Sequence, residues 1–222
     1  MLVRMIKKFL SFIVLFSCCL LHANESDIYP YQIVIFRHAE KLGDSLHYHL
    51  NAQGQQRAAY LVDFLLKEKV AFNKTKPIID QENQEIVAVF VPNPTVHGQT
   101  NDYVRPTQTI IPLFHEADYY LQGKTGNGVY LNNHHDYKEA PTLFEHILYN
   151  EKYRDYVGKT VVVCWEHGEI PSMFDQYFSD LKPYFKHLGE ERYDMVWVIR
   201  WNNGVAEAHS YYQVPSSSFL NP

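Results

Sequence analysis

The sequence predicts an α/β fold, a three-layer sandwich with a mostly parallel central sheet flanked by helices. Continuous apolar runs at 33–36, 86–91 and 161–165 are typical of strands that are covered on both faces. Segments with helical character lie between these runs, and alternation of strands with helices favours a parallel sheet. No internal repeat and no linker rich in Gly, Pro or Ser divides the chain, so we expect one domain over 24–222.

The predicted elements follow in chain order. The first strand, Ile33 to Phe36, leads to Asn51, which can cap the N-terminus of a helix. The apolar face of that helix comprises Ala58, Leu61, Val62, Leu65 and Leu66. After the second strand, a polar stretch at 93–103 precedes "VRPTQTIIPLF", and another helix is expected around Thr142 to Leu148. Towards the C-terminus, "YDMVWVIRWNNGVAEAHSYYQV" predicts two strands joined by a turn at Asn203-Gly204.

Residues 1–23 are predicted to form a signal peptide. Arg4, Lys7 and Lys8 make a basic start, and the apolar block at 9–21 is shorter than the roughly 20 residues that a spanning helix needs. The small residue Ala23 favours cleavage after it. An uncleaved membrane anchor and lipid attachment at Cys18 stay open as alternatives. We therefore expect an exported protein, periplasmic or secreted, with no stable membrane insertion after cleavage of the signal.

The charge and cysteine content of the mature chain exclude some classes of protein. Removal of residues 1–23 changes the net charge from −5 to −8. Affinity for a phosphate backbone comes from surplus Lys and Arg, so we expect no nucleic-acid partner. Cys164 is then the one remaining cysteine, so no intramolecular disulfide forms. Because it lies inside an apolar strand, Cys164 is expected to pack in the core rather than to act as a catalytic thiolate.

Polar residues interrupt the apolar pattern where two predicted strands end. Arg37 and His38 follow the first strand, and His167 follows the strand that ends in "VVVCW". Ligands of parallel sheets bind beyond the carboxyl ends of the strands, so we expect these side chains at one edge. A neutral imidazole is a nucleophile towards phosphorus, and the guanidinium groups of Arg37 and Arg105 can each bind two phosphate oxygens. A histidine pKa of about 6.5 predicts an optimum at mildly acidic to neutral pH.

Four segments, in this order, resemble the histidine phosphatase (phosphoglycerate mutase-like) superfamily, and in particular its exported branch. They are "RHAEK" at 37–41, "LNAQGQQRA" at 50–58, "VRPTQT" at 104–109 and His167-Gly168. The resemblance implies that His38 is the phosphorylated nucleophile and that Arg37, Arg105 and His167 complete the phosphate pocket. It also implies that the protein uses no metal and no organic cofactor. Lys41 either adds positive potential beside the phosphate or forms an ion pair with Glu40.

The proton donor is the least determined part of the predicted site. One branch of the superfamily places a carboxylate shortly after the second histidine, which favours Glu169. Another branch places a glutamate well after the second arginine, where Glu116 and Glu139 are the candidates. Glu166 is a further candidate, and it could orient an arginine instead of donating a proton.

A metal centre is the main competing interpretation of the polar residues. His134-His135-Asp136, with His97, His115-Glu116 and Asp118, could supply ligands. Adjacent histidines on a helix or strand point in different directions, however, and no His-x-x-x-His or Cys-x-x-Cys spacing supports a site. We expect these residues to be solvated loop histidines.

The sequence therefore predicts an exported phosphatase that hydrolyses a phosphate monoester of a small substrate through a phosphohistidine. A phosphoglycerate mutase-like phosphotransferase and a non-catalytic protein that binds phosphorylated ligands are the alternatives. The sequence leaves the substrate and the oligomeric state open.

Overall fold

The computed structural model describes residues 28–41, 49–72, 74–96, 99–100, 104–149, 156–185 and 192–213. The predicted signal peptide, 1–23, and part of the polar stretch at 93–103 lie outside the described residues. None of the helices in the described ranges is both long enough and apolar enough to cross a membrane.

The elements are strands, helices and short 3₁₀ turns. The strands are β1 Gln32–Arg37, β2 Ile86–Phe90, β3 Thr95–Val96, β4 Gln99–Thr100, β5 Tyr130–Asn132, β6 Thr160–Trp165, β7 Met195–Asn202 and β8 Val205–Tyr212. The α-helices are α1 Ala52–Leu66, α2 Val104–Thr125 and α3 Ala140–Tyr149, and the 3₁₀ turns are Tyr137–Glu139, Ile170–Phe174 and Lys182–Phe185.

One mixed sheet of six strands forms the centre of the fold, in the order β5-β2-β6-β1-β7-β8. The first four of these strands run parallel to one another, whereas β7 is antiparallel to β1 and β8 is antiparallel to β7. Asn203 and Gly204 join the last two strands with φ of 51° and 79°, the left-handed pair that a type I′ hairpin turn requires. The predicted α/β fold with a mostly parallel sheet is confirmed.

Side chains of β1 alternate between two apolar layers, as the two-residue period of a strand requires. Val34 and Phe36 pack in a cluster with residues of α1 and α2, among them Leu61, Leu65, Ile110 and Leu113. Ile33 and Ile35 pack on the other face with Phe144 of α3, Phe174 of the turn at Ile170–Phe174 and Trp197 of β7. The central strands β1, β2 and β6 are therefore covered on both faces, and they form a rigid platform for the residues at their ends.

Local sequence explains where the helices begin. Asn51 caps α1, with its Oδ1 accepting a hydrogen bond from the Gly54 N–H at 2.7 Å. The sequence patterns do not predict helix α2 or strand β5. Pro106 lies in the first turn of α2, where the missing N–H costs nothing, but Pro112 removes one interior hydrogen bond. The buried face of Ile110, Leu113, Ala117 and Leu121 compensates for that loss.

Candidate active site

The parallel pairing of β1 with β6 brings the two strand ends together. Arg37 is in register with Trp165, and the His38 N–H donates to the Trp165 carbonyl at 3.1 Å. His38 therefore lies opposite Glu166, the residue that follows β6. One ring nitrogen of His38, one carboxylate oxygen of Glu166 and one ring nitrogen of His167 all lie within 4.8 Å of one another. The structure thus places the two predicted catalytic histidines in one site.

His38 is held in one tautomer. Its side chain is 1% exposed, and Nδ1 lies 2.7 Å from the Ala39 carbonyl oxygen. A carbonyl only accepts, so Nδ1 carries the proton and Nε2 keeps its lone pair. Burial lowers the pKa of His38 from 6.5 to about 3, and the positive charges of Arg105 and Arg37 act in the same direction against the opposing Ala39 bond. The imidazole is therefore neutral throughout the physiological range.

Arg37 is a buried cation fixed by its surroundings. It is 2% exposed, its Nη1 donates to the Arg192 carbonyl at 3.4 Å, and its guanidinium carbon lies 4.0 Å from the centre of the Tyr193 ring. Burial is the main cause of its lowered pKa, with the charge of Arg105 acting in the same direction. A desolvated guanidinium beside a second cation favours the arrival of an anion.

Arg105 lies in the first turn of α2, close enough for its charge to lower the pKa of both Arg37 and His38. Its buried Nε has no hydrogen-bond partner among the described residues. An unpaired buried donor costs free energy, of the order of 1–3 kcal/mol, that a bound oxyanion would recover. Arg105 is thus suited to holding a phosphate oxygen, the role that the family resemblance implies for it.

Thr109 connects α2 to the loop after β1. Its hydroxyl donates to the Arg105 carbonyl at 2.8 Å and accepts from the Ala39 N–H at 2.9 Å. The Ala39 carbonyl in turn holds the His38 imidazole. One hydroxyl therefore couples the backbone of Arg105 to the backbone that orients His38.

A buried ion pair supports the same loop from α1. Arg57 contacts both carboxylate oxygens of Glu40, with its Nη2 2.6 Å from Oε1, and both side chains are about nine-tenths buried. The Gly54 backbone lies against Glu40, because a Cβ at position 54 would be only 2.2 Å from the Glu40 carbonyl oxygen. Glu40 therefore braces the loop through Arg57, and the ion pairs of the described residues do not include one between Glu40 and Lys41.

Glu166 and His167 form a second pair at the end of β6. Glu166 Oε1 lies 2.5 Å from His167 Nδ1, and Oε2 accepts from the Gly168 N–H at 2.6 Å. Burial raises the pKa of Glu166, but its bonds to His167 and Gly168 dominate and lower it to about 2. An ionised carboxylate with both oxygens engaged is a poor proton donor.

The charges around His38, Glu166 and His167 suit an oxyanion better than a metal ion. His38, Glu166 and His167 are close enough to share a cation. The charges of Arg37 and Arg105 both lower the pKa of His38, however, and two positive charges that act on this point oppose a divalent cation there. The same charges attract phosphate.

The remaining predicted residues have the following positions. Glu169 is half-buried, and its Oε2 accepts from the Ser172 hydroxyl at 3.3 Å. Lys41 is exposed, and its carbonyl accepts from Asn51 Nδ2 at 3.0 Å. Glu116 is exposed on α2, about 16 Å along the helix axis from Arg105, and its charge acts on Lys67. Glu139 closes the capping box of a 3₁₀ turn by accepting from the Asp136 N–H at 2.9 Å.

The candidate metal ligands of the competing interpretation do not lie together in the part of the chain that the structure describes. His135 is buried beside His146, with ring centres 4.7 Å apart, whereas His134 and His115 are exposed. Asp118 accepts from the Val129 N–H at 2.8 Å. His97 lies outside the described residues.

Sequence reasoning did not identify Tyr193, which stacks on Arg37 and lies 6.0 Å from the His38 ring, centre to centre. It precedes β7, and no motif marks it. Thr109, by contrast, is the last residue of the "VRPTQT" segment, so its position was available from the sequence.

Comparison with known proteins finds similarity in structure alone. No family model matches the chain, and no curated protein matches it. A putative phosphohistidine phosphatase SixA from Agrobacterium tumefaciens is 13% identical, with a TM-score of 0.47, over 82% of this chain and 97% of that chain. A phosphoglycerate mutase from Bacillus anthracis is 12% identical, with a TM-score of 0.47, over 88% of this chain and 97% of that chain.

A protein histidine phosphatase SixA complexed with tungstate is 11% identical, with a TM-score of 0.46, over 82% of this chain and 97% of that chain.

Proposed function

We propose that this chain is an exported phosphatase that hydrolyses phosphate monoesters through a phosphohistidine on His38. One observation carries the proposal: His38 presents a neutral imidazole with an unprotonated Nε2, and two guanidinium groups lie close to it. A nucleophile for phosphorus and donors for the phosphoryl oxygens are therefore assembled in one place. Export rests on the leader at 1–23 and predicts a mature chain that begins at Asn24, which N-terminal sequencing of the exported protein would test.

The reaction proceeds in two displacements. The lone pair of His38 Nε2 forms a bond to phosphorus while the bond from phosphorus to the leaving oxygen breaks, and that oxygen takes the electron pair and a proton. Water then forms a bond to phosphorus and gives one proton to the carboxylate that protonated the leaving oxygen, the N–P bond breaks with its electron pair returning to Nε2, and inorganic phosphate leaves with His38 and the acid restored. Arg37, Arg105 and His167 hold the non-bridging oxygens in both steps, and Lys41 adds positive potential at the rim.

We propose that Glu169 donates the proton that the leaving oxygen takes up. It lies two residues after His167, and its carboxylate is held loosely by Ser172. Protonation matters most for a poor leaving group, so Glu169→Gln should slow the hydrolysis of an alkyl phosphate far more than that of a nitrophenyl phosphate. Glu116→Gln, on the remote part of α2, is the matched control. If Glu169→Gln slows the hydrolysis of both substrates equally, Glu169 is not the proton donor.

The overall proposal is tested by phosphate release from a nitrophenyl phosphate in the presence of a chelator. We expect turnover by the mature protein and its loss in His38→Ala with unchanged circular dichroism. Binding of inorganic phosphate without turnover would instead indicate a protein that only recognises phosphorylated ligands. Activity that survives in His38→Ala would place the nucleophile elsewhere. Conversion of one phosphoglycerate into its isomer without phosphate release would indicate a mutase.

A further inference from the structure

The hydrogen bonds of Glu166 suit it for holding a partner rather than for transferring a proton. Its two carboxylate oxygens accept from different donors, His167 Nδ1 at 2.5 Å and the Gly168 N–H at 2.6 Å. Both Glu166 and His167 have side chains that are mostly buried, 18% and 23% exposed. The carboxylate is therefore fixed in position, with each oxygen engaged by a protein donor.

His167 Nδ1 has two neighbours that demand opposite roles. Glu166 Oε1 lies 2.5 Å away and needs a proton on Nδ1, whereas Arg37 Nη2 lies 3.2 Å away and could donate only to a bare Nδ1. A bare nitrogen so close to a carboxylate oxygen would be repelled by it. The shorter contact to an anion therefore decides the tautomer, and Nδ1 carries the proton.

This tautomer restricts what Nε2 of His167 can do. A neutral imidazole with its proton on Nδ1 has a bare Nε2, which would repel a phosphoryl oxygen. His167 donates to phosphate through Nε2 only as an imidazolium. Two groups at the end of β1, Arg37 and His38, face His167. Arg105 on α2 and Tyr193 before β7 lie next to those two groups. Glu166 and Glu40 both act as anions on Arg37, and Glu166 is the one whose carboxylate contacts His167.

We propose that Glu166 is a positioning residue that keeps a proton on His167 Nδ1 and stabilises the imidazolium, so that Nε2–H donates to the transferring phosphoryl group. The inference rests on the proposed phosphatase function and adds to it a residue that the family motifs do not mark. It also gives Glu166 a histidine to orient, in place of the arginine that the sequence suggested.

The test compares pH profiles of kcat/KM for the parent, Glu166→Gln and Glu145→Gln. The amide that Glu166→Gln introduces preserves an acceptor for Nδ1–H but removes the charge, whereas Glu145 is an exposed residue of α3 and serves as the matched control. We expect the alkaline limb of Glu166→Gln to move down by about one pH unit, which is a tenfold loss of kcat/KM on that limb, with convergence on the parent in acid. A uniform loss with an unmoved limb would overturn the proposal.

A second readout does not depend on turnover. Titration of ¹⁵N-labelled imidazoles by NMR, with inorganic phosphate as the probe, reports the protonation of His167 directly. We expect Nδ1 of His167 to carry a proton in the parent, and we expect a smaller fraction of the imidazolium form in Glu166→Gln than in the parent at the same pH. The same imidazolium fraction in both proteins would overturn the role of Glu166 even if the enzyme is active. If Glu166→Gln changes the protonation of His167 as expected but the parent releases no phosphate, the positioning role is supported and the phosphatase function is refuted.

Discussion

His38 should make the protein less stable in mild acid, because the folded state keeps this histidine neutral. Burial and the neighbouring arginines lower its pKa from 6.5 to about 3, whereas in the unfolded chain it titrates near its ordinary value. Between those two pKa values the unfolded chain binds more protons than the native one. The free energy of unfolding therefore falls as the pH decreases from about 6.5 towards 3.

The magnitude follows from the pKa difference. Each pH unit in this interval costs about 1.4 kcal/mol, so the free energy of unfolding should drop by about 2 kcal/mol between pH 7 and pH 5 on account of His38 alone. In His38→Asn, a side-chain amide can donate to the Ala39 carbonyl in place of Nδ1–H but does not titrate. That variant should lose about 2 kcal/mol less than the parent over the same interval.

Urea unfolding of both proteins at the two pH values measures this difference. Other titrating groups, including the buried His135, are common to parent and variant, so they cancel in the comparison. Equal losses in the two proteins would show that His38 is protonated normally in the folded state. The neutral nucleophile, and with it the reasoning from burial, would then be refuted. The same pKa implies that activity persists below about pH 6, so the acidic limb expected from an ordinary histidine should be absent near 6.5.

Three further predictions concern the support of the loop after β1. Gly54→Ala should destabilise the protein and lower activity because the new Cβ would meet the Glu40 carbonyl at 2.2 Å, whereas Gly123→Ala, with nothing within 4 Å, should stabilise it by about 0.5–1 kcal/mol in thermal unfolding. Arg57→Met should cost about 3–5 kcal/mol in urea unfolding because it leaves the buried Glu40 carboxylate unpaired, and a loss below about 1 kcal/mol would contradict a buried pair. Thr109→Val should lower kcat while Thr109→Ser retains it, because a hydroxyl holds the loop N–H; equal rates in the two variants would exclude that hydrogen bond as the cause.

The general fold was predictable because its signals are local. Uninterrupted apolar runs marked β1, β2 and β6, and Asn203-Gly204 marked the hairpin. Helix α2 was missed because Pro106 and Pro112 lie inside it, and its stability depends on packing against the sheet rather than on helix propensity. The short strand β5 has only three residues and takes its hydrogen bonds from β2, so no periodicity could reveal it.

The candidate site was predictable where it follows strand ends and motifs. Arg37 ends β1, His38 follows it directly, and His167 is the second residue after β6. Parallel pairing of the two strands then fixes their proximity. The contacts of Tyr193 with Arg37 and of Glu40 with Arg57 depend on how distant segments pack. The lowered pKa of His38 had the same origin, since burial by the whole fold causes it. Sequence spacing carries no information on such contacts.

Trapping the intermediate on His38 tests the central claim most directly. The mature protein would be mixed with a nitrophenyl phosphate carrying radioactive phosphorus and quenched within milliseconds in alkaline denaturant, where phosphohistidine survives. Peptide mapping by mass spectrometry would then locate the label. We predict label on the peptide that contains His38, lost on treatment with acid and missing in His38→Ala. Label on any other residue, or turnover with no labelled protein at all, would contradict the account.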